Sequence, residues 1–336
     1  MRVLYGIQGT GNGHISRARD VIPALQRHCE LDILISGTQS EVNLPYPVTY
    51  RRKGASFLYN KKGGLDYFRT FTHNFRLTLM REITGLPVKQ YDLIINDFEP
   101  VSAWAARWHG VPCISLGHQA AFLSGHTPRP EERDPLGEWI LRSYAPSDSG
   151  IGFHFKSYDS FIRTPVIRQA VREQTPTDGG YYTVYLPAFN ETRLFQLLHQ
   201  FPGTEWQVFS RYAKAPFRDK NVWVHPVDSK AFTDSLVHCT GIFTGAGFET
   251  PAEALYLGKK IFSVPIKGQY EQYCNAAALA EMGVPVAHRI DETFPEKMTQ
   301  WLATGPIAQV NYPDHINEVA DEIFAAFSGG IALSPA

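Results

Sequence analysis

The chain has 336 residues, of which 43% are hydrophobic and 19% are charged, and its formal net charge is −1. This length suits two globular domains, and the balance of apolar and charged residues excludes a disordered or fibrous protein. A net charge near zero provides no general field for nucleic acid, so no nucleic-acid partner is expected. The cysteines lack metal-ligand spacing, and no run approaches the roughly 20 apolar residues that span a bilayer. A cytoplasmic protein is predicted, with peripheral membrane contact left open.

Short apolar runs alternate with segments of helical period along most of the chain, which indicates an α/β fold with parallel sheets. In the first half, a strand at 3–7 leads through a glycine loop at 9–13 into a helix at 14–27. The other elements predicted there are strands at 31–36, 48–51, 93–96 and 112–116, helices at 65–83 and 101–109, a loop at 52–64 and irregular chain at 118–135.

The pattern restarts after residues 165–180, which are rich in Pro, Thr, Asp and Gly and predict a linker. The second half is predicted to hold strands at 181–186, 206–209, 222–224, 241–244, 260–264 and 284–287. Its predicted helices are one that begins at 190, one near 230–237, one that ends at 257, and three more at 270–282, near 291–302 and near 313–327. Two doubly wound domains facing across a cleft are therefore predicted, at 1–164 and 181–310, with a helix at 311–328 that packs back on the first. In such sheets, ligands bind at the carboxyl ends of the strands.

The first glycine loop ends directly before His14. Gly13 follows Gly11 by two residues rather than three, and no Gly-Lys-Ser/Thr follows, so the spacing disfavours a dinucleotide fingerprint and a P-loop. The N–H groups at a helix start suit an anion, and histidine is the side chain best suited to remove a proton near neutral pH. His14 is therefore predicted to be a general base, although a capping or surface histidine would produce the same pattern.

A histidine base works better when a carboxylate accepts a hydrogen bond from its second nitrogen. Asp97 follows the strand at 93–96 and should lie at the same sheet edge as His14. Two alternatives stay open. Asp97 could instead cap the next helix, and Glu99 could be the carboxylate that orients the histidine.

A second glycine loop, at 244–250, joins a strand to a helix with Pro251 in its first turn. Its glycines and helix start form a cradle suited to a diphosphate without lysine or metal, and Glu253 is placed to accept hydrogen bonds from ribose hydroxyls. Glu271 and Gln272, at a later helix start, offer the acceptors and donors that sugar hydroxyls require. A tight turn and a solvated helix start would explain these features separately.

The order of these features carries a specific resemblance. The donor-binding signature of nucleotide-sugar glycosyltransferases of the GT-B fold resembles the run Gly247…Glu253…Gly258…Pro265…Glu271-Gln272…Asn275-Ala276. The run is similar both to the UDP-glycosyltransferase family and to the bacterial peptidoglycan N-acetylglucosaminyltransferase family, and Gly13-His14 matches the glycine–histidine loop of both. The chain also resembles a prokaryotic glycosyltransferase family with an Asp-Phe-Glu-Pro segment, here 97–100, and a Gly-His-Gln segment, here 117–119.

The resemblance implies transfer of a hexose or N-acetylhexosamine from a nucleoside diphosphate, with UDP expected, to an acceptor hydroxyl, with inversion. The acceptor, which would be a glycan, a lipid-linked molecule or a small molecule, should face 52–83 and 118–146 of the N-terminal domain. No Asp-x-Asp pair occurs, so no metal is expected, and no cofactor is expected beyond the nucleotide-sugar substrate. The implied contacts are the catalytic pair His14 and Asp97; diphosphate and ribose contacts at Gly245, Ala246, Gly247, Thr250 and Glu253; donor-sugar contacts at Glu271 and Gln272; base contacts at Val224 and Val227; and an acceptor-side loop of Gly11, Asn12, Gly13 and His118.

Glu249 departs from the pattern, because a carboxylate close to a diphosphate is unfavourable by like-charge repulsion unless it turns away. Arg211, Lys214 and Arg193 are candidates for compensating charge. Two other functions stay open. A UDP-N-acetylglucosamine 2-epimerase would act on the same donor without an acceptor, and a nucleotide-sugar-binding protein would bind the donor without turnover, which Glu249 would favour.

Overall fold

The computed structural model describes residues 1–37, 44–54 and 77–335. The strands of the first half are Arg2–Gln8 (β1), Glu30–Ser36 (β2), Tyr50–Arg52 (β3), Leu93–Asp97 (β4), Cys113–Gly117 (β5), Ser149–Phe153 (β6) and Ile162–Arg163 (β7). They form one parallel sheet in the order β3-β2-β1-β4-β5-β6-β7.

Helices connect these strands. Those of the first half are Gly13–Gln26 (α1), Leu77–Thr84 (α2), Pro100–His109 (α3) and Pro135–Ser143 (α4), with 3-10 turns at Val88–Gln90 and His118–Leu123. A short helix, Gln169–Arg172 (α5), lies where the chain passes from the first sheet to the second.

The second half forms a sheet in the order β10-β11-β9-β8-β12-β13. Its strands are Tyr181–Tyr185 (β8), Glu205–Ser210 (β9), Phe217–Asp219 (β10), Val222–Pro226 (β11), Gly241–Thr244 (β12) and Lys260–Ser263 (β13). All neighbours are parallel except β10, which pairs antiparallel with β11. The helices are Glu191–Leu198 (α6), Ser229–His238 (α7), Glu249–Tyr256 (α8), Tyr270–Glu281 (α9), Phe294–Thr304 (α10) and Ile316–Gly329 (α11).

Both sheets are doubly wound, as predicted, and each has a point at which the strand order reverses. In the first sheet, β1 lies between β2 and β4, and Ile7 of β1 is in register with Asp97 of β4. In the second, β8 lies between β9 and β12. Connections leave such a point in opposite directions and open a crevice at the carboxyl ends of the strands. The glycine loops that follow β1 and β12 lie at these two crevices.

Alternating side chains of the buried strands build the core on both faces of the first sheet. Val3 and Ile7 pack in one buried cluster with Ile15 of α1, whereas Leu4 packs in another with Val101 of α3. The first cluster continues into the second half of the chain, through residues such as Phe248, Ala252 and Ile316. The two halves therefore share apolar contacts in addition to the polar contacts of the cleft.

The last helix, α11, returns to the first half of the molecule. His28, just beyond α1, stacks on Phe324 with ring centroids 4.7 Å apart. Arg163 of β7 donates to both carboxylate oxygens of Glu322 at 2.7 Å. No helix among the described residues is long and apolar enough to cross a membrane.

Several local predictions require correction. Strands β6, β7 and β10 and helices α4 and α5 were not expected, and the strand expected at 284–287 is a single bridge between Val286 and Ser263. Strand β6 was missed because its glycines weaken the local signal. Gly152 is needed there, since a Cβ would come within 2.6 Å of the backbone of Ala121. The predicted helix at 65–83 is described only from Leu77, and residues 55–64 of the predicted loop also lie outside the described ranges.

Candidate active site

His14 and Asp97 meet at the crevice of the first sheet. His14 is in the first turn of α1, Asp97 is the last residue of β4, and Nδ1 of the ring lies 2.8 Å from Oδ1 of the carboxylate. The Asp97 side chain is fully buried, whereas 15% of the His14 side chain is exposed. A proton on Nδ1, donated to Asp97, leaves Nε2 as the ring nitrogen that accepts a proton.

The backbone conformation of Phe98 directs the carboxylates on either side of it, those of Asp97 and Glu99, to different partners. Phe98 has φ of 55°, a left-handed conformation that is uncommon for a bulky residue and is often found at functional sites. Glu99 caps α3, because its carboxylate accepts from the backbone N–H groups of Val101 at 2.7 Å and Ser102 at 2.6 Å. The alternatives in which Asp97 caps this helix or Glu99 orients His14 are therefore wrong.

Arg17 is a member of this site that was not predicted from the sequence. Its Nη2 lies 2.7 and 2.8 Å from the two oxygens of Asp97 and 3.2 Å from Nδ1 of His14, and only 2% of the side chain is exposed. Burial acts to raise the pKa of Asp97, but attraction to Arg17 and to His14 outweighs it and holds that pKa below its ordinary value. The available signal was the spacing, since residues three apart share a helix face.

Glu249, the residue that departed from the family pattern, is the other partner of Arg17. It opens α8, and its carboxylate forms an ion pair with Nη1 of Arg17 across the cleft. Burial raises the pKa of Glu249 to about 7, against the attraction of Arg17. Arg193, Arg211 and Lys214, the cations expected to compensate its charge, are exposed side chains, and the cation that contacts Glu249 is Arg17.

Two glycines allow these side chains to converge. A Cβ at Gly13 would lie 3.1 Å from Cγ of Glu249, and a Cβ at Gly117 would collide with Oδ1 of Asp97. Gly117 has φ of 179°, an extended conformation open to any residue, so the space beside Asp97 is what requires glycine there. Gly117, the first residue of the Gly-His-Gln segment, therefore leaves the space that the carboxylate of Asp97 occupies.

Gly117→Ala should displace the Asp97 carboxylate and lower kcat on the order of 10²-fold, because catalysis is sensitive to displacements of about 1 Å. Initial rates at saturating substrate would measure the loss. Gly203→Ala is the matched control, since a Cβ there meets no atom within 4 Å. Equal rates for the two variants would show that the packing between Gly117 and Asp97 does not matter for activity.

The second glycine loop meets the first half of the chain at His118. The ring of His118 stacks on Phe248 with centroids 3.9 Å apart and an angle of 6° between the planes. Nδ1–H donates to the carbonyl of Phe153 at 2.8 Å, and Nε2 lies 2.8 Å from Oδ1 of Asn275. The side chain is buried, which lowers the pKa of His118. His118 was predicted on an acceptor-facing surface, but in this arrangement an acceptor could reach it only if the two halves separated.

The residues predicted to bind the donor border the cleft, and Glu253, Glu271 and Gln272 already have protein partners. The carboxylate of Glu253 accepts two hydrogen bonds from Arg168, the second at 2.7 Å. Glu271 accepts from Nε2 of Gln119 at 3.0 Å, and Oε1 of Gln272 accepts from the backbone of Ile266 at 2.9 Å. Ala246 is buried, whereas three other predicted contacts are half-buried: Gly245, Gly247 and Thr250.

The predicted base contacts differ in exposure. The Val224 side chain is fully buried in the core of the second sheet, so a contact between it and a nucleotide base is excluded, whereas Val227 is half-buried. A cavity of about 530 Å³ opens instead at the carboxyl ends of β8 and β13, and its lining includes four basic side chains. These are Arg193, Lys267, His288 and Arg289. The cavity borders the second glycine loop, since Val264, which lines it, would lie 3.8 Å from a Cβ at Gly245.

The predicted acceptor side is described in part. Residues 55–76 of the region 52–83 lie outside the described ranges. In the region 118–146, Phe122 is fully buried, whereas the side chain of Trp139 is about half exposed. Nowhere in the described ranges do three or more His, Cys, Asp or Glu residues form a group that could hold a metal ion.

Comparisons with known proteins agree with this architecture. Residues 1–306 match the family model described as glycosyl transferase family 1, and no curated protein matches. The solved structure of Arabidopsis thaliana UGT89C1 complexed with UDP is similar, with a TM-score of 0.62 and 14% identity over 97% of this chain and 99% of that chain. The spinosyn forosaminyltransferase SpnP has a TM-score of 0.57 and 15% identity over 99% of this chain and 96% of that one. A UDP-N-acetylglucosamine 2-epimerase has a TM-score of 0.56 and 13% identity over 100% and 98% of the two chains. At such identities the likeness establishes the fold, two Rossmann-like domains in the GT-B arrangement.

Proposed function

The chain belongs to glycosyl transferase family 1, and on that premise we propose that it transfers a sugar from UDP to an acceptor hydroxyl, with inversion. The observation that carries the proposal is the His14–Asp97 pair at one crevice, facing the glycine loop and helix start of the other. This geometry supports the proposal of a proton acceptor opposite a cradle suited to a diphosphate. The donor sugar expected is a hexose or an N-acetylhexosamine.

In this proposal, His14 is the general base. Nε2 accepts the proton of the acceptor hydroxyl as the acceptor oxygen forms its bond to the anomeric carbon. The bond from that carbon to the diphosphate oxygen breaks, and its electron pair leaves with UDP. Attack on the face opposite the leaving group inverts the configuration of the anomeric carbon. Asp97 orients the ring and stabilises the imidazolium, as the carboxylate of a hydrolase triad does.

The departing UDP gains negative charge, and the second half of the chain is suited to stabilise it without a metal. The N–H groups at the start of α8 and the positive end of the helix dipole favour an anion. The three cationic side chains of the adjacent cavity, Arg193, Lys267 and Arg289, increase the positive potential there. A UDP donor is further supported by the GT-B fold that this chain shares with the UDP complex of UGT89C1.

Donor entry should require the cleft to open. Glu253 is bonded to Arg168 and Glu271 to Gln119, and each bond joins the donor-binding half to residues before β8. We propose that ribose and sugar hydroxyls replace or share these partners once the donor is bound. Closure then excludes water from the site, which protects the donor from hydrolysis.

Product analysis tests the proposed function. The protein is incubated with a panel of UDP-hexoses and UDP-N-acetylhexosamines, with and without a mixture of glycan, lipid and phenolic acceptors. Transfer predicts UDP release that depends on an acceptor, together with a glycosylated product of inverted anomeric configuration. A new UDP-sugar formed without acceptor would identify an epimerase. Tight donor binding without any product would identify a binding protein, and either result would overturn the proposal.

A further inference from the structure

Three charged side chains surround the proposed base between the two sheets. We refer to His14, Arg17, Asp97 and Glu249 as the charge cluster. Arg17 occupies its centre, with Nη2 on Asp97 at 2.7 and 2.8 Å and Nη1 on Glu249. With a neutral imidazole and both carboxylates ionised, the cluster holds one cation and two anions, so its net charge is −1. A proton accepted by His14 brings that charge to zero.

Arg17 and Asp97 by themselves would be a poor environment for a general base. The guanidinium neutralises the carboxylate, and its Nη2 lies only 3.2 Å from Nδ1 of His14. A cation at that distance disfavours the imidazolium that forms as the acceptor hydroxyl loses its proton. A second carboxylate is required to restore the negative charge that a histidine–aspartate pair normally provides.

We propose that the Arg17–Glu249 ion pair completes the general base. Glu249, supplied by the donor-binding half, balances the charge of Arg17 and leaves the charge of Asp97 to support the imidazolium of His14. Arg17 and Glu249 are thus positioning residues for the reaction proposed above, and this inference rests on that reaction. Closure of the cleft, which brings α8 onto α1, would assemble the base only when the two halves meet.

The packing around the pair is suited to this task. Arg17 and Asp97 are shielded from water, with side-chain exposures of 2% and 0%, so their charges interact more strongly than they would in solvent. Gly13 opens the gap through which Glu249 approaches. Glu249 is also the first residue of α8, where the helix dipole favours a negative charge.

Other ionisable groups near the cluster do not replace Glu249. Tyr5 is fully buried, and burial raises its pKa well above the ordinary value, so it remains neutral. Glu253, the next carboxylate along α8, is held by Arg168. His118 and Glu271 lie at the adjoining contact with α9, where Nε2 of His118 is 2.8 Å from Oδ1 of Asn275.

The pair also explains how a carboxylate is tolerated beside the proposed diphosphate site. Because the carboxylate of Glu249 is bonded to Arg17, its negative charge is balanced and the carboxylate points toward α1. Loss of Arg17 would leave two carboxylates, those of buried Asp97 and half-buried Glu249, close to the incoming diphosphate. Arg17→Met should therefore weaken UDP binding, whereas Glu249→Gln should strengthen it or leave it unchanged.

Histidine NMR of the full chain, without substrate, tests the inference. The His14 ring is identified by the signal that disappears in His14→Gln, and its titration midpoint is followed against pH. Glu249→Gln leaves Arg17 unbalanced and should lower the midpoint, whereas Arg17→Met should raise it, each by roughly one pH unit or more. The double variant should return toward the wild-type midpoint. Arg17→Lys, which keeps the charge, should stay closer to the wild type than Arg17→Met.

Glu138→Gln is the matched control. The Glu138 carboxylate accepts a hydrogen bond from Tyr270 at 2.7 Å and so also joins the two halves, but it lies outside the charge cluster. This variant should leave the His14 midpoint unchanged. Shifts of the same sign in Glu249→Gln and Arg17→Met, or no shift in either, would overturn the inference. Should Arg17→Met fail to fold, a Glu249→Gln midpoint that is unchanged or raised would overturn it alone.

The kinetic measurement separates this inference from the proposed function. The acid limb of the pH profile of kcat/KM should move in the same direction as the NMR midpoint of each variant. If no acceptor is glycosylated but the midpoints move in opposite directions, the electrostatic pair stands and the transferase proposal fails. If transfer occurs but the midpoints do not move, the transferase proposal stands and the proposed role of the Arg17–Glu249 ion pair fails.

Discussion

His14→Gln should lower kcat for sugar transfer by about 10²- to 10⁴-fold, the usual contribution of a general base. A glutamine amide can still donate to Asp97, so the fold and the neighbouring ion pairs should persist. It cannot accept a proton at the position of Nε2, so the acceptor hydroxyl would attack without losing its proton. Initial rates at saturating donor and acceptor measure the effect, and calorimetry with UDP should show an affinity close to that of the wild type.

His28→Gln is the control for that substitution. His28 lies just beyond the opposite end of α1, where it stacks on Phe324 and pairs with Asp321. This variant should transfer sugar at the wild-type rate. That result would show that the loss in His14→Gln does not come merely from replacing a histidine near α1. A His14→Gln protein that bound UDP normally and transferred at the wild-type rate would remove His14 from the reaction.

Asp97→Asn should have an effect of comparable size on catalysis and a further effect on stability. Replacing the carboxylate removes the charge that stabilises the imidazolium, and the analogous substitution in a hydrolase triad lowers kcat by about 10⁴-fold. It also leaves buried Arg17 with Glu249 as its remaining carboxylate partner. Breaking one side of a buried ion pair typically costs about 3–5 kcal/mol, so urea unfolding should detect a large loss.

The stability difference between wild type and Asp97→Asn should depend on pH. The pKa of Asp97 in the folded protein is below its ordinary value of 3.8, so the folded state binds this proton less readily than the unfolded chain. The contribution of the carboxylate is therefore complete above about pH 4 to 5 and is lost as the pH falls toward the lower folded value. Unfolding curves recorded at successive acidic pH values should converge for the two proteins. A difference that grew on acidification would contradict this assignment of charge.

Glu99→Gln separates the two buried carboxylates of this segment. Glu99 is as buried as Asp97 and also bonds to Ser36, but its oxygens face α3 and not His14. Loss of the capping carboxylate should lower the free energy of unfolding by about 0.5–2 kcal/mol, while the folded enzyme keeps its kcat. Equal losses of kcat in Glu99→Gln and Asp97→Asn would show that catalysis depends on the conformation of the segment 97–99 and not on the charge of Asp97.

Much of the architecture followed from local sequence patterns. Alternation of short apolar runs with helical segments predicts doubly wound sheets, because buried parallel strands and their covering helices impose those periods. The two glycine loops were predicted at the correct strand–helix junctions for the same reason. His14 and Asp97 were predicted to meet because the carboxyl ends of adjacent parallel strands share one edge. The family resemblance was sufficient to predict the GT-B arrangement.

Other features depended on how distant segments meet. The left-handed backbone at Phe98 decided which carboxylate faces His14, and no spacing in the sequence distinguishes Asp97 from Glu99 in that respect. The position of His118 under Phe248 required both halves to be in contact. Strand β6 was not predicted from the local sequence, because its glycines are required by close contacts with residues distant along the chain.

The sequence by itself thus determined the α/β class, the two crevices and the histidine–aspartate pair, all of which depend on local periodicity and strand polarity. Only the tertiary structure decided the role of Glu249. Its carboxylate meets Arg17 from a position 232 residues away along the chain, in a gap opened by Gly13. An ion pair between two folded halves has no local pattern, because its partners are selected by distance in space and by the balance of buried charge.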